Sequence, residues 1–337
     1  MPAANQVIAL LAGHLDGDSE QVRTVALQIA AAEARQGHAK TAAAMKKLLD
    51  RPRSPSEGAV PTPVEGATLL AKPRGDLGEL VTVTSPKARV SEMTLTPQVR
   101  ERLDRMVRQQ ASRGRLREHG LRPSSKILLV GPPGSGKTLT ASALAGDLNL
   151  PLFTIRLDAV ITRYLGESAT KLRAVFDQIA QMRGVYLFDE FDAIGGKRSA
   201  GNDVGEVRRI LNSFLQFLEE PNATDSVIVA ATNHPELLDR ALIRRFDEII
   251  EYGLPDEAGV RDIVKRRLGA LAGRSMKWEL IGEAAHGLSH GEVSRAVEEA
   301  LREAILDDRK TVDQSSLMAA LDARRSMREV MADIFTE

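Results

Sequence analysis

The chain has 337 residues, with 46 Lys+Arg against 46 Asp+Glu, so the formal net charge is zero and no bulk attraction to nucleic acid or anionic lipid follows. With 43% apolar and 27% charged residues it can bury a core, which excludes a disordered or collagen-like chain, and its length suggests about two domains. The absence of cysteine excludes disulfides, thiolate metal sites and a cysteine nucleophile and fits a reducing cytoplasm; no membrane span or secretion signal is legible, so a cytoplasmic location is expected.

Residues 1–50 are rich in Ala and Leu, with helical spacing at Val22, Val25, Ala26 and Ile29 and again at Ala42, Met45, Leu48 and Leu49. An earlier run, Val7, Ile8, Leu10 and Leu11, adds a third segment, with Asp18 and Gln21 as a capping pair and Gly37 as a break. A three-helix unit this small buries little surface alone and is expected to dock on a partner or substrate. From Arg51 to Arg74 five prolines remove any period, so 51–90 reads as an extended, semi-rigid linker. Val99, Leu103, Met106 and Val107 then mark a helix face, with Arg100, Arg102, Arg105 and Arg108 off that stripe.

Between Lys126 and Gly253 short apolar runs alternate with helical patterns, the signature of a parallel sheet covered on both faces. The predicted strands are Ile127–Val130, Leu152–Ile155, Val185–Phe188, Val227–Ala231 and Glu248–Glu251. Beyond Pro255 the strands stop. Helical spacing at Val260, Ile263, Val264, Leu268 and Leu271, and helices over 293–306 and 316–325, predict a smaller helical lid over 256–326, followed by a tail at 327–337.

Gly131-Pro132-Pro133-Gly134-Ser135-Gly136-Lys137-Thr138 satisfies G-x-x-x-x-G-K-[ST], directly after the run ILLV and before the helical TLTASALAGDL. Glycines let consecutive backbone N–H groups turn around phosphates, and the following helix offers its positive end to the same anion. The motif predicts an α/β P-loop NTPase sheet that binds ATP through residues 131–138 and Leu139. Lys137 would reach the β and γ phosphates and the Thr138 hydroxyl would ligate Mg²⁺. The strand Val185–Phe188 ends in Asp189-Glu190, carboxylates at the edge where parallel sheets place ligands. Asp189 is expected to hold Mg²⁺ through water; Glu190, on the other side of the pleat, could take the proton of an attacking water. Asn233, after the strand VIVAA, could bond the terminal phosphate and that water, although alone it would be an ordinary loop cap.

GPPGSGKT, YLFDEFDAIGGKR, VIVAATNHPELLDRALIRRFDEIIEYGLPD and GLSHGEVSRAVEEA, in this order and spacing, closely resemble the AAA family of ATPases over roughly Lys126 to Arg325. The resemblance implies that Thr138 and Asp189 serve the metal, Lys137 binds phosphate, Glu190 activates water and Asn233 senses the nucleotide. Arg244-Arg245 resembles the arginine fingers that reach a neighbouring subunit's nucleotide, each worth about 10³–10⁵ in rate in related transfers. A homo-oligomeric ring, most often of six copies, is therefore implied. Many members space the two arginines by Pro-Gly, which this chain lacks, so either arginine remains a candidate for the principal finger. The stretch Ser289-His290-Gly291-Glu292 has no arginine where other ATPase branches carry a second sensor, as is usual in this family.

Tyr164-Leu165-Gly166 resembles the aromatic, hydrophobic, glycine loop with which threading members line a central pore, and Gly195–Val204 would supply a second pore loop. An aromatic ring of side chains grips an extended protein substrate with little sequence preference, while Gly166 permits the turn. The reading is a ring that remodels, unfolds or threads proteins. With no protease motif in the chain, proteolysis would need a partner, and the layout is similar to small bacterial AAA ATPases encoded beside subtilisin-like serine proteases. The rivals are an ATP-dependent scaffold that activates an effector, and a DNA-associated remodeller suggested by nine basic against three acidic residues between Arg100 and Lys126. Such a stretch is more often the wet side of an amphipathic helix, so nucleic acid is not the favoured partner. His286 and His290 have a chelating spacing, but Gly287 between them should interrupt the helix and no third ligand is evident.

Overall fold

In the computed structural model, the residues described are 77–161, 166–195, 204–273 and 276–334. All lie in the second of the two units into which the chain divides, Ala71–Glu337. The expected helical unit at 1–50, the linker as far as residue 76, Tyr164, Leu165 and most of the second pore segment fall outside them.

The apolar runs pair as parallel strands because each is buried on both faces and therefore needs helices above and below. In chain order the elements are α1 (Leu77–Leu80), β1 (Val81–Thr84), α2 (Pro97–Ala111), α3 (Arg113–Glu118), β2 (Lys126–Val130), α4 (Lys137–Leu148), β3 (Leu152–Ile155) and α5 (Leu157–Val160). There follow α6 (Glu167–Gln181), β4 (Val185–Phe188), α7 (Asp192–Gly195), α8 (Val204–Glu219), β5 (Val227–Thr232), α9 (Arg240–Ile243) and β6 (Glu248–Glu251). The C-terminal helices are α10 (Glu257–Leu268), α11 (Trp278–Ala284), α12 (His290–Leu306) and α13 (Gln314–Ile334). The strands lie side by side in the order β1-β3-β4-β5-β2-β6, with only β1 antiparallel.

Alternation along the strands sorts the core. Leu128, Tyr186, Phe188 and Ile228 face a cluster with Phe176 of α6 and Phe214 of α8, whose rings meet edge-on at 5.5 Å. Ile127, Leu129, Leu187 and Val229 face the other way, onto Leu103 and Met106 of α2 and Ala141 and Leu144 of α4. A third cluster, including Val264, Ile281, Val297 and Leu317, belongs to α10–α13 alone.

Three boundaries differ from the sequence expectation. β1 lies within 51–90, expected as linker, where its register Val81↔Ile155 to Thr84↔Leu152 makes it part of the sheet. Four residues of VTVT at a sheet edge bury only one side chain, which leaves no apolar run to read. α13 continues to Ile334, through most of the expected tail, while α10 ends at Leu268 against Gly269, leaving Leu271 outside the helix and 41% exposed.

Candidate active site

The turn from β2 into α4 needs backbone that side chains rarely permit: φ is 149° at Gly131, 75° at Gly134 and 102° at Gly136. Space is limiting as well. A Cβ on Gly131 would lie 2.5 Å from the Tyr252 carbonyl oxygen, and one on Gly134 would lie 2.7 Å from Ser289 Oγ. Inside this turn Lys137 is 7% exposed. Its ammonium donates to the carbonyl oxygens of Gly131 (2.8 Å) and Pro132 (2.9 Å) and to Asn233 Oδ1 (2.7 Å). Three protons are thereby used, which leaves the 3.4 Å approach to Ser135 Oγ as a weak remainder. Burial pushes the Lys137 pKa down, and the charges of Asp189 and Asp192 oppose that shift.

At the end of β4 the Thr138 hydroxyl donates to Asp189 Oδ2 at 2.6 Å, while Asp189 Oδ1 accepts from the Glu190 N–H at 3.0 Å. Glu190 does not continue the pleat, as the alternation of a strand would have it. It has turned into the left-handed region at φ 50°, a strained conformation for a residue with a Cβ. The strain is held in place by the bonds that follow, Phe191 N–H to the Ala231 carbonyl at 2.8 Å and Ala193 N–H to the Glu190 carbonyl at 2.9 Å. The Glu190 side chain is exposed.

Sequence reasoning missed three supports. Asp192 Oδ1 accepts from Thr232 Oγ1 at 2.8 Å, joining the ends of β4 and β5; its signal was a third acid in DEFD. Tyr252, 5% exposed, brings its hydroxyl within 2.6 Å of Thr140 Oγ1 on α4, and burial raises its pKa to about 12. The third is a contact from the helical region: the Gly291 N–H at the start of α12 donates to the Gly134 carbonyl at 2.8 Å. A capping box, in which Ser289 and Glu292 exchange bonds of 2.6 and 3.3 Å, starts α12 at this place.

The site thus gathers the loop, Lys137, Thr138, Asp189, Glu190 and Asn233 along one edge of the sheet. Arg244 and Arg245 stand at the end of α9 and make no hydrogen bond or ion pair to that group among the described residues. Arg245 is anchored, its Nε donating to Glu219 at 2.6 Å and an NH1 proton to the Ala241 carbonyl at 2.8 Å. Arg244 is exposed and has no side-chain partner among the described residues. Gly166 caps α6 at φ 83°. Gly287, at φ 81°, separates His286 from His290, the first residue of α12. Trp278 packs on the helical core under Arg261 and Lys265, 5.3 and 5.4 Å from its ring.

One cavity meets Tyr252, which backs the loop, and a second meets the loop itself. The first, of about 360 Å³, lies between the start of α2 and the start of α10, lined in part by Thr94, Tyr252, Asp256, Asp262 and His290. His290 is half-buried, its Nδ1 has no partner among the described residues, and burial lowers its pKa against the opposing charge of Asp256. The other, of about 220 Å³, lies between Pro132–Gly134 and helices α12 and α13.

The expected basic surface is largely engaged within the fold. Arg102 pairs with Glu248 at 2.7 Å, Arg105 with Glu101 at 3.0 Å and Arg117 with Asp225 at 2.7 Å, while Arg100 donates to the Val90 and Met93 carbonyls. No helix of the described residues is long and apolar enough to cross a membrane.

The family described as "ATPase family associated with various cellular activities (AAA)" matches residues 127–254, from β2 through Leu254 just past β6. The chain is 36% identical to a proteasome-activating nucleotidase of Methanothermobacter thermautotrophicus, over 60% of its own length and 51% of the relative's. It is 35% identical to the ATP-dependent zinc metalloprotease FtsH 4 of Sphaerobacter thermophilus, over 60% of this chain and 32% of that one. The chain therefore spans about half or less of these two relatives. With an uncharacterized AAA family ATPase, y4kL, of Sinorhizobium fredii, the likeness is 32% identity over 92% of both chains. Agreement across nearly the whole length of that relative, with the family's own pattern covering the segment that contains Lys137, Asp189 and Asn233, means that this chain belongs to the AAA family of ATPases.

Proposed function

We propose that the protein is an Mg²⁺-dependent ATP hydrolase that assembles into a ring, of six copies by its resemblance, and remodels, unfolds or threads protein substrates for a separate protease. The observation that carries this reading is the joining of the loop to the ends of two other strands, Lys137 to Asn233 after β5 at 2.7 Å and Thr138 to Asp189 after β4 at 2.6 Å. Relatives named as a proteasome-activating nucleotidase and an ATP-dependent protease support the class of work; the expectation of a serine protease partner rests on resemblance alone.

The residues suit the ligands. Gly131 and Gly134 let the loop turn tightly against Tyr252 and Ser289, where a Cβ would clash, and backbone N–H groups of such a turn can take phosphate oxygens. Thr138 and Asp189 present hydroxyl and carboxylate oxygens, the donors a hard cation takes, with its remaining positions left to water and phosphate. When bound, Mg²⁺ would neutralise phosphate charge. Lys137 supplies a fixed positive charge, and Asn233, tied to it, can orient a water. Glu190, whose carboxylate makes no hydrogen bond among the described residues, takes the proton of the attacking water on its own oxygen. The 360 Å³ cavity, with the unpartnered His290 Nδ1, suits the base. Arg244, exposed and without a side-chain partner among the described residues, is the finger offered to the next copy, and Arg245 holds the turn that presents it.

Tyr164 and Leu165, immediately before Gly166, grip the substrate, and residues 1–50 recruit it or the protease. The test is E190Q with ATP and Mg²⁺: hydrolysis is lost, particle mass rises to that of a ring, and polypeptide co-purifies. A monomer at every nucleotide concentration refutes the ring, and a ring free of polypeptide refutes the threading.

A further inference from the structure

Two exposed apolar surfaces of the helical region have no part in the reading above. One is a groove of about 790 Å³ between the starts of α10 and α11, whose walls include Glu257, Arg261, Lys277, Trp278, Glu279 and Leu280. Leu280 is 39% exposed, and the Trp278 ring lies under the cations of Arg261 and Lys265, one turn apart on α10. Arg261, Lys265 and Lys277 have no carboxylate partner among the described residues, whereas Arg266 and Arg267 of the same helix pair with Asp262 and Glu298. The acids of the groove, Glu257 and Glu279, stand in the first turns of α10 and α11, where a carboxylate offsets the helix dipole. The groove therefore joins an aromatic anchor to a surplus of positive charge.

The second surface is on the last third of α13. Met327 and Val330, three positions apart and so neighbours on one helix face, are 59% and 57% exposed. The sequence repeats the spacing with Met331 and Ile334, and residues 329–337 hold the acids Glu329, Asp333 and Glu337 with no base among them. This is an apolar stripe with negative charge, the complement of the groove.

The two cannot meet within one copy. The Lys277 N–H donates to Gln314 Oε1 at 2.8 Å, which fixes the groove beside the first residue of α13. At about 1.5 Å per residue, Met327 and Val330 lie roughly 20 and 24 Å further along the same helix. We propose that the Met327–Val330 stripe of one copy docks on the Trp278–Leu280 groove of a second copy. Two different patches in contact make a head-to-tail interface, which closes into a ring when the rotation between copies allows it. The contact deepens the ring reading and rests on it for that closure, but no residue of the nucleotide site takes part.

Trp278 is the chain's only tryptophan, so its fluorescence reports on the groove alone. The test is a dilution series of E190Q with ATP and Mg²⁺, read by sedimentation velocity and by tryptophan emission. It is repeated for a stripe variant, M327Q/V330Q, and a groove variant, R261E/L280Q, in the same background. The substituted side chains are all exposed. In E190Q the emission should move to shorter wavelength in step with particle mass. Each variant alone should associate about tenfold more weakly or worse, and the stripe variant should lose the shift. An equal mixture of the two retains one intact pairing, the stripe of the groove variant in the groove of the stripe variant. It should recover the shift and particles larger than either variant gives alone, which also shows that both are folded. Emission that stays constant while mass rises, variants that associate within twofold of E190Q, or a mixture no better than its parts overturns the contact and leaves the ring standing. A monomer at every concentration of E190Q removes both.

Discussion

Tyr252 and Thr140 test whether the loop is held by the buried bond described above. Thr140 Oγ1 donates to the Gly136 carbonyl at 3.0 Å, so its proton is used and the 2.6 Å contact must be the Tyr252 phenol donating to it. With a pKa raised to about 12, that phenol remains a neutral donor throughout the physiological range. The two substitutions are then unequal. Y252F removes the donor but leaves Thr140 bonded to Gly136, a loss of about 1 kcal/mol. T140V leaves a phenol hydroxyl buried with no acceptor, at about 1–3 kcal/mol, whereas the Gly136 carbonyl keeps its bond from the Thr140 N–H at 2.9 Å. Y252F/T140V removes both polar partners and should be milder than T140V alone, which a double-mutant cycle reads as coupling. Thermal unfolding shows the order, at roughly 2–4 °C per kcal/mol for a unit near this size. If T140V costs no more than Y252F, or if the double variant equals the sum of the singles, the assignment of donor and acceptor is wrong.

The two arginines separate in the same way. R244A should cut ATP turnover by about 10³ or more with nucleotide affinity retained, and mixing it with K137A should restore activity, because each supplies what the other lacks. R245A should cost under about 1 kcal/mol, since its partner Glu219 is half-exposed, and leave most turnover; the reverse ranking would exchange the roles. For His290 the folded pKa lies below the ordinary value of 6.5, so the unfolded chain takes the proton first as pH falls. Its contribution to stability is fully present above pH 6.5 and is lost as pH drops through the lower folded value. H290Q should flatten the melting temperature between pH 7 and 5, and an unchanged slope would show that the burial of this imidazole is not what titrates.

The parallel strands were legible because a strand buried on both faces is written as an unbroken apolar run, as in ILLV and VYLF. Asp189 and Glu190 stood out as candidates because they follow such a run directly. β1 was not, since an edge strand needs only one apolar face and VTVT supplies little of it. The supports of the loop were hidden for another reason. Tyr252 lies 121 residues beyond Gly131 in the chain, and the two meet only because β6 pairs with β2. Nothing local in the sequence separates Tyr252 from an ordinary core residue. Glu190 shows the limit of periodicity. Period-2 counting assigned it a face, but the strand ends at Phe188, and the next two residues follow hydrogen bonds rather than the pleat. Arg244 and Arg245 are adjacent and identical in type, so only their contacts in the fold, the Arg245 bonds to Glu219 and to the Ala241 carbonyl, tell them apart.

The bond between Gly291 and Gly134 gives the helical region a mechanical connection to the nucleotide loop. Both residues lack a Cβ, and a Cβ on Gly291 would lie 3.3 Å from the Gly134 carbonyl oxygen, so the two backbones meet with no flexible side chain between them to absorb a shift. α12 in turn packs Val293, Ala296, Val297 and Ala300 into the cluster it shares with α10, α11 and α13. Close-packed apolar interiors of this kind transmit displacement rather than yield to it. A change in the loop as phosphate binds or leaves is therefore passed to α12 at its first turn and from there to the whole helical bundle. The side chains that fix this junction are Ser289 and Glu292, which exchange bonds in the cap of α12. In the ring proposed above, such a movement would be the one that couples hydrolysis to the substrate.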